Sequence, residues 1–145
     1  MNRRVVFGMI PVMVGGIIYI TFRADSLLMF HWLKVIGIYK EVHELRSLQI
    51  LQNLDIPSWV KFSLPDALWL LSFNYILLVM WEFKVNSNSV VWILIAPAVG
   101  LFSEIGQFLN VVPGIFDIID LVFLILATVL PFLTTIHKTL KNKIV

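Results

Sequence analysis

No cysteine occurs among the 145 residues, which excludes a disulfide framework, a thiolate metal site, a cysteine nucleophile and a lipidated cysteine. Charge is scarce as well: Asp, Glu, Lys and Arg make up 14% of the chain, and eleven basic against nine acidic side chains leave a net charge of +2. No basic face is present that could hold nucleic acid by counterion release, so no nucleic-acid partner is expected. The three histidines, His31, His43 and His137, are dispersed without the spacing of a metal site. No resident metal is expected, and an all-carboxylate Mg²⁺ or Ca²⁺ site is the one metal chemistry left open. The five Trp and eleven Phe need no cofactor to explain them, and none is expected.

What the chain has in abundance is apolar side chain, 59% of the total, with a mean hydropathy of +0.92. That is too oily for a water-soluble globule. Val5 to Phe22 is an uncharged run of 18 residues, roughly 27 Å long at about 1.5 Å of helical rise per residue, close to the ~30 Å hydrocarbon core. Arg3 and Arg4 precede it and Arg23 follows, with no small-residue cleavage pattern, so it reads as a retained anchor. Gly8, Gly15 and Gly16 would allow close helix contact along it, and Pro11 would mark a kink. Residues 64–81, 90–111 and 115–136 supply three further runs whose only charges are Asp66, Glu104, Asp117 and Asp120.

The expected fold is a single-domain, all-α membrane protein: a four-transmembrane-helix bundle with spans 5–22, 64–81, 90–111 and 115–136 and a basic tail at 137–145. Short connections at Glu82–Ser89 and Val112-Pro113-Gly114 predict that the second, third and fourth helices pack as sequential neighbours. The long first loop is expected to carry interfacial and amphipathic structure over 27–54. Leu27 to Tyr39 is apolar but too short to cross, and Lys40 to Leu54 spaces Val42, Leu45, Leu48, Leu51 and Leu54 by three among charged residues. Positive charge at Arg3, Arg4, Lys84, Lys138, Lys141 and Lys143 favours both termini in the cytoplasm.

With that alternation of spans, Arg23, Asp66, Glu104, Gln107, Asp117 and Asp120 converge at one end of the bundle, whichever way the bundle faces. Glu104 is the sharpest signal, because a charged side chain at depth costs ~2.5–3.5 kcal/mol. Gly100, Glu104, Gln107 and Val111 follow one helical stripe, so Glu104 and Gln107 are expected to point together into the bundle. A bland alternative is that Glu104 is protonated, or locks the bundle through an arginine. Asp117 and Asp120 fit equally a helix cap with an acid in the first turn, and Ser63-Leu64-Pro65-Asp66 has the form of a capping box. Four neighbouring carboxylates call for a cation, for which Arg23 is the nearest candidate and Arg46, folding back over the same mouth, the second.

The segments Ser103-Glu104-Ile105-Gly106-Gln107 and Pro113-Gly114-Ile115-Phe116-Asp117-Ile118-Ile119-Asp120 resemble the VanZ-like family of small bacterial membrane proteins. That family carries E-x-x-Q, a short outer turn and R-x-x-D-x-x-D at the opening of the last span. Glu104 and Gln107 match the first motif, and Asp117 and Asp120 the second. The family arginine falls at Gly114, however, and an expected asparagine at Leu124. Asp66 resembles the acid opening the family's second span, with Ala67 and Leu70 where lysine and histidine often follow. The resemblance implies a multi-pass protein of the bacterial cytoplasmic membrane, part of the cell envelope, with a link to resistance to the glycopeptide antibiotic teicoplanin. The function expected on these grounds is binding of a lipid or cell-wall precursor headgroup at an outer-leaflet acidic cluster. Two alternatives stay open: a membrane enzyme using Glu104, Asp117 and Asp120 for acid/base chemistry on a lipid-linked substrate, and an accessory subunit or homo-oligomer joined through the glycines of the first helix and the segment 40–54.

Overall fold

The structure, a computed structural model, describes residues 3–48 and 54–144, with side chains described as far as Leu133. Among the described residues the chain is all-helical: α1 (Arg3–Phe22), α2 (Leu28–Ile36), α3 (Tyr39–Arg46), α4 (Ser58–Met80), α5 (Ser87–Phe108) and α6 (Ile118–Ile144). α1, α4 and α5 are long and apolar enough to cross a membrane, and Ile118–Leu133 of α6 is a shorter apolar stretch. Large apolar side chains such as Phe7, Ile17, Val91 and Phe102 are more exposed than buried, the opposite of a water-soluble surface and the arrangement expected against lipid.

α4 is the central helix. α1 lies antiparallel along it, held close by two glycines one heptad apart: Gly8 sits against Tyr75 and Ile76, and Gly15 against Trp69 and the carbonyl of Pro65. The Ser72 hydroxyl donates to the Gly8 carbonyl across the same seam, and Tyr19 packs on Trp69 with ring centres 5.0 Å apart. Gly16, expected to share this role, faces open space. α6 runs alongside another part of α4, where Phe123 stacks on Trp59 at 5.6 Å. α5 touches α4 and α6 far less extensively. The second, third and fourth long helices do touch in sequence as expected, but unequally: glycine at the α1 seam permits the closest approach, so α4 pairs most extensively with α1 and then with α6, and α5 is more loosely seated.

The expected boundaries shift for local reasons. α4 begins at Ser58 instead of 64, after Pro57 with φ −54° and ψ 146°. Ser63 and Asp66 therefore lie more than a turn inside the helix, and the capping box proposed for them does not exist. α4 ends in a Schellman motif: Glu82 takes φ 53°, the Phe83 N–H donates to the Leu78 carbonyl at 2.6 Å and the Glu82 N–H to Val79 at 3.1 Å. Phe83 folds back onto Leu78 and Ile93, all three buried. In that turn Lys84 Nζ donates to Glu82 Oε2 at 3.0 Å, which holds the Glu82 carboxyl below its ordinary value.

α5 starts at Ser87, capped by Asn86. Its Oδ1 accepts from the Asn88 and Ser89 N–H groups, while Ser89 Oγ accepts from the Asn86 N–H at 2.9 Å. Replacing Asn86 by alanine leaves those two donors without this acceptor and is expected to cost about 1 kcal/mol, read as a lower midpoint in denaturant titration of the purified chain. α5 ends at Phe108, not 111, in a second Schellman motif with Asn110 at φ 57° and the Val111 N–H on the Gly106 carbonyl at 2.8 Å. α6 starts at Ile118 and runs to Ile144, past the expected end at 136 and through most of the tail. The tail lysines' side chains lie outside the described residues.

In the first loop, α2 buries Phe30 and Leu33 and leaves Trp32, Val35 and Ile36 exposed. It ends at Gly37 in the left-handed region, φ 88°. The amphipathic helix expected over 40–54 stops at Arg46, where Ser47 Oγ donates to the Glu44 carbonyl and ends the repeat. Of the residues that defined the pattern, Leu51 lies outside the described residues.

Candidate functional site

A cavity of about 280 Å³ opens between α4, α5 and α6. Asp66 reaches it from the third turn of α4, Glu104 from the last turns of α5 and Asp120 from the first turn of α6. Ala67 and Leu70 follow Asp66 down α4, and Ala96 and Gly100 precede Glu104 on α5 at intervals of four, so each helix presents an acid at the rim and small or apolar side chains below it. Glycine at 100 leaves room for the Leu124 side chain that forms the far wall, and a Cβ there would push the Leu124 methyl aside.

Glu104 is 9% exposed, and its Oε2 has no hydrogen-bond partner among the described residues. The Asp117 backbone N–H donates toward the Glu104 carboxyl, and Asp120, Asp117 and Asp66 lie close enough to act on it electrostatically. Asp120 Oδ1 is likewise buried without a partner. Asp66 is met by Arg23, whose Nη2 lies 3.8 Å from Oδ2, a pair exposed enough to be weak. The Arg23 guanidinium is set between the Tyr19 and Phe62 rings, 5.0 and 5.3 Å from their centres, and this places one cation at the mouth of an acidic cavity.

Three residues expected at the cluster have other places. Asp117 is the N-cap of α6, its Oδ1 accepting from the Ile119 N–H at 2.8 Å, and its side chain does not line the cavity. Gln107 turns away from Glu104 and lies over Gly114, with Nε2 3.5 Å from Ser103 Oγ. Val111 is beyond the end of α5, so the stripe of Gly100, Glu104, Gln107 and Val111 ends at Gln107. Arg46 does not reach the carboxylates. Its guanidinium donates to the carbonyls of Ile20 and Arg23 at 2.6 and 2.8 Å, pairs with Asp25 at 3.1 Å and lies 4.9 Å from the centre of the Phe30 ring.

Sequence reasoning missed Ser63 as a wall of the cavity, having read it as a cap, although Ser63, Ala67 and Leu70 fall on one stripe of α4. Asn74, which the sequence offers either as a member of the polar cluster or as glue between the second and third spans, is next on that stripe but outside the cavity lining, 0% exposed and with neither side-chain atom partnered among the described residues. No group of three or more His, Asp or Glu side chains among the described residues is arranged to hold a metal ion.

No protein-family model, curated protein sequence or solved structure matches the chain.

Proposed function

We propose that the chain is a VanZ-like protein of the bacterial cytoplasmic membrane that crosses four times, with both termini in the cytoplasm. In this reading its acidic cavity binds the headgroup of a lipid or cell-wall precursor from the outer leaflet. One observation carries the reading: Glu104 is nine-tenths buried, the one charged side chain of its helix, with an unpartnered carboxylate oxygen at a cavity that Asp66 and Asp120 share. A carboxylate oxygen buried at membrane depth without a partner is costly unless something enters to meet it. The crossing of α6 is supported by its apolar stretch Ile118–Leu133 and its continuation as helix to Ile144. The resemblance at Glu104, Gln107, Asp117 and Asp120 points to the cell envelope and to glycopeptide susceptibility as a cellular readout.

The test is gentle purification of the full chain followed by mass spectrometry of what it retains. A lipid or lipid-linked precursor is expected with the unchanged protein. Its retention should fall at least about ten-fold, a loss of roughly 1.4 kcal/mol, when Glu104→Gln is combined with Asp120→Asn, and teicoplanin susceptibility should change with it. Unaltered retention together with unaltered envelope and glycopeptide phenotypes, at normal protein level, would overturn the reading.

A further inference from the structure

We infer that the group recognised in the cavity is a primary ammonium, carried by an amphiphile whose hydrocarbon part lies along the membrane-facing flank of α5 and α6. This rests on the headgroup reading above and specifies its ligand. Among the described residues lining the cavity, the two buried atoms left without partners, Glu104 Oε2 and Asp120 Oδ1, are both acceptors, and although Arg23 Nε at the mouth is an unpartnered donor, a group that meets the two carboxylate oxygens must donate. A third carboxylate, Asp66, shares the lining, and Ser63 is the only hydroxyl there. A phosphate placed among these groups would meet like charge, whereas an ammonium with three N–H bonds offers a donor to each carboxylate. A quaternary ammonium carries charge but no N–H, and would leave both oxygens unsatisfied.

The second half of the inference comes from a neighbouring cavity of about 230 Å³ that shares Glu104 with the first. Its remaining walls, Ile105, Phe108, Phe116 and Leu121, are all apolar, and Phe108 meets Phe116 edge to face at 5.3 Å. Glu104 thus separates a polar recess from an apolar groove, and Ile105 and Phe108 are 50% and 65% exposed on the outside of the bundle. One molecule that places an ammonium on Glu104 and a hydrocarbon chain against Phe108 and Phe116 fills both. A free small amine fills only the first.

The experiment uses the full chain in phosphatidylcholine nanodiscs doped with a minor fraction of phosphatidylethanolamine, of its singly or doubly N-methylated forms, or of phosphatidylglycerol. Native mass spectrometry counts the lipid that stays bound. Phosphatidylethanolamine is expected to be retained about ten-fold over phosphatidylcholine, with a stepwise fall for each added methyl, and Glu104→Gln should erase the preference. The methylation series is run on the unchanged protein, so it stands even if the variant fails to fold. Lysophosphatidylethanolamine should displace the bound lipid at concentrations where free ethanolamine does not, and equal displacement by ethanolamine would overturn the amphiphile half. Equal retention of phosphatidylcholine or phosphatidylglycerol would overturn the ammonium assignment. The headgroup reading would survive that result if retention still depended on Glu104, and would fall with it if nothing bound in a Glu104-dependent way.

Discussion

Gly15→Leu is expected to destabilise the protein by about 2–3 kcal/mol, the upper part of the usual range for overpacking a tight contact. A Cβ at residue 15 would lie 2.9 Å from the Trp69 indole and 3.0 Å from the Pro65 carbonyl oxygen. The indole is wedged against Tyr19, and the carbonyl belongs to the backbone of α4, so neither can give way without parting the helices. Loss of this seam also breaks the Ser72 hydrogen bond to Gly8 one heptad below. The adjacent position is an internal control, because residue 16 has nothing within 4 Å. Gly16→Leu should stay within about 0.5 kcal/mol of the parent. Refolding equilibria in mixed detergent micelles, followed by tryptophan fluorescence, separate the two. Equal losses at both positions would mean that α1 is not docked through this face.

Arg46→Met should free the α2–α3 segment from the bundle, lowering its local opening free energy by about 3 kcal/mol. Hydrogen bonds from a charged donor are worth roughly 1.5–3 kcal/mol each, and Arg46 makes two, to the Ile20 and Arg23 carbonyls. Those carbonyls belong to the C-terminal turn of α1 and its exit, where no further turn of helix supplies N–H donors and where a cation also complements the dipole. Methionine keeps apolar bulk at the position and removes the guanidinium, which itself lies over Phe30 and whose side chain is 19% exposed. Hydrogen–deuterium exchange of the amides in α3 reads the effect directly. Arg46→Lys should recover less than half of it, since a single ammonium cannot span both carbonyls and Asp25 together. Unchanged exchange in Arg46→Met would show that the contact does not hold the loop.

The three apolar helices were legible because apolar runs of that length with at most one charge have few other uses, and the gathering of Asp66, Glu104 and Asp120 followed from alternation of direction alone. The start of α4 was not legible. Lys61 interrupts the apolar run, and Pro65 with Asp66 imitates a helix opening, yet Pro57 and Ser58 are where the backbone turns. The direction of Gln107 was hidden for another reason: Asn110 adopts the left-handed region and folds the following chain back over the last turn of α5. Arg46 was placed at the acidic mouth because sequence shows charges and not exposed carbonyls, and the carbonyls at the end of α1 proved the better acceptors. Gly100 was legible as part of a stripe, while the room it leaves is taken up by Leu124, a residue from another helix.

The central position of α4 bears on how the chain is assembled. Synthesis runs from the N-terminus, so α1 emerges before its glycine face has α4 to rest on, and it must persist undocked until residues 23–57 and then α4 have been made. The uncharged stretch from Val5 to Phe22 suits it to that wait. α5 and α6, by contrast, are born onto a scaffold already in place, and the acidic recess can close only with the last of them, so an incomplete chain never brings the three carboxylates together.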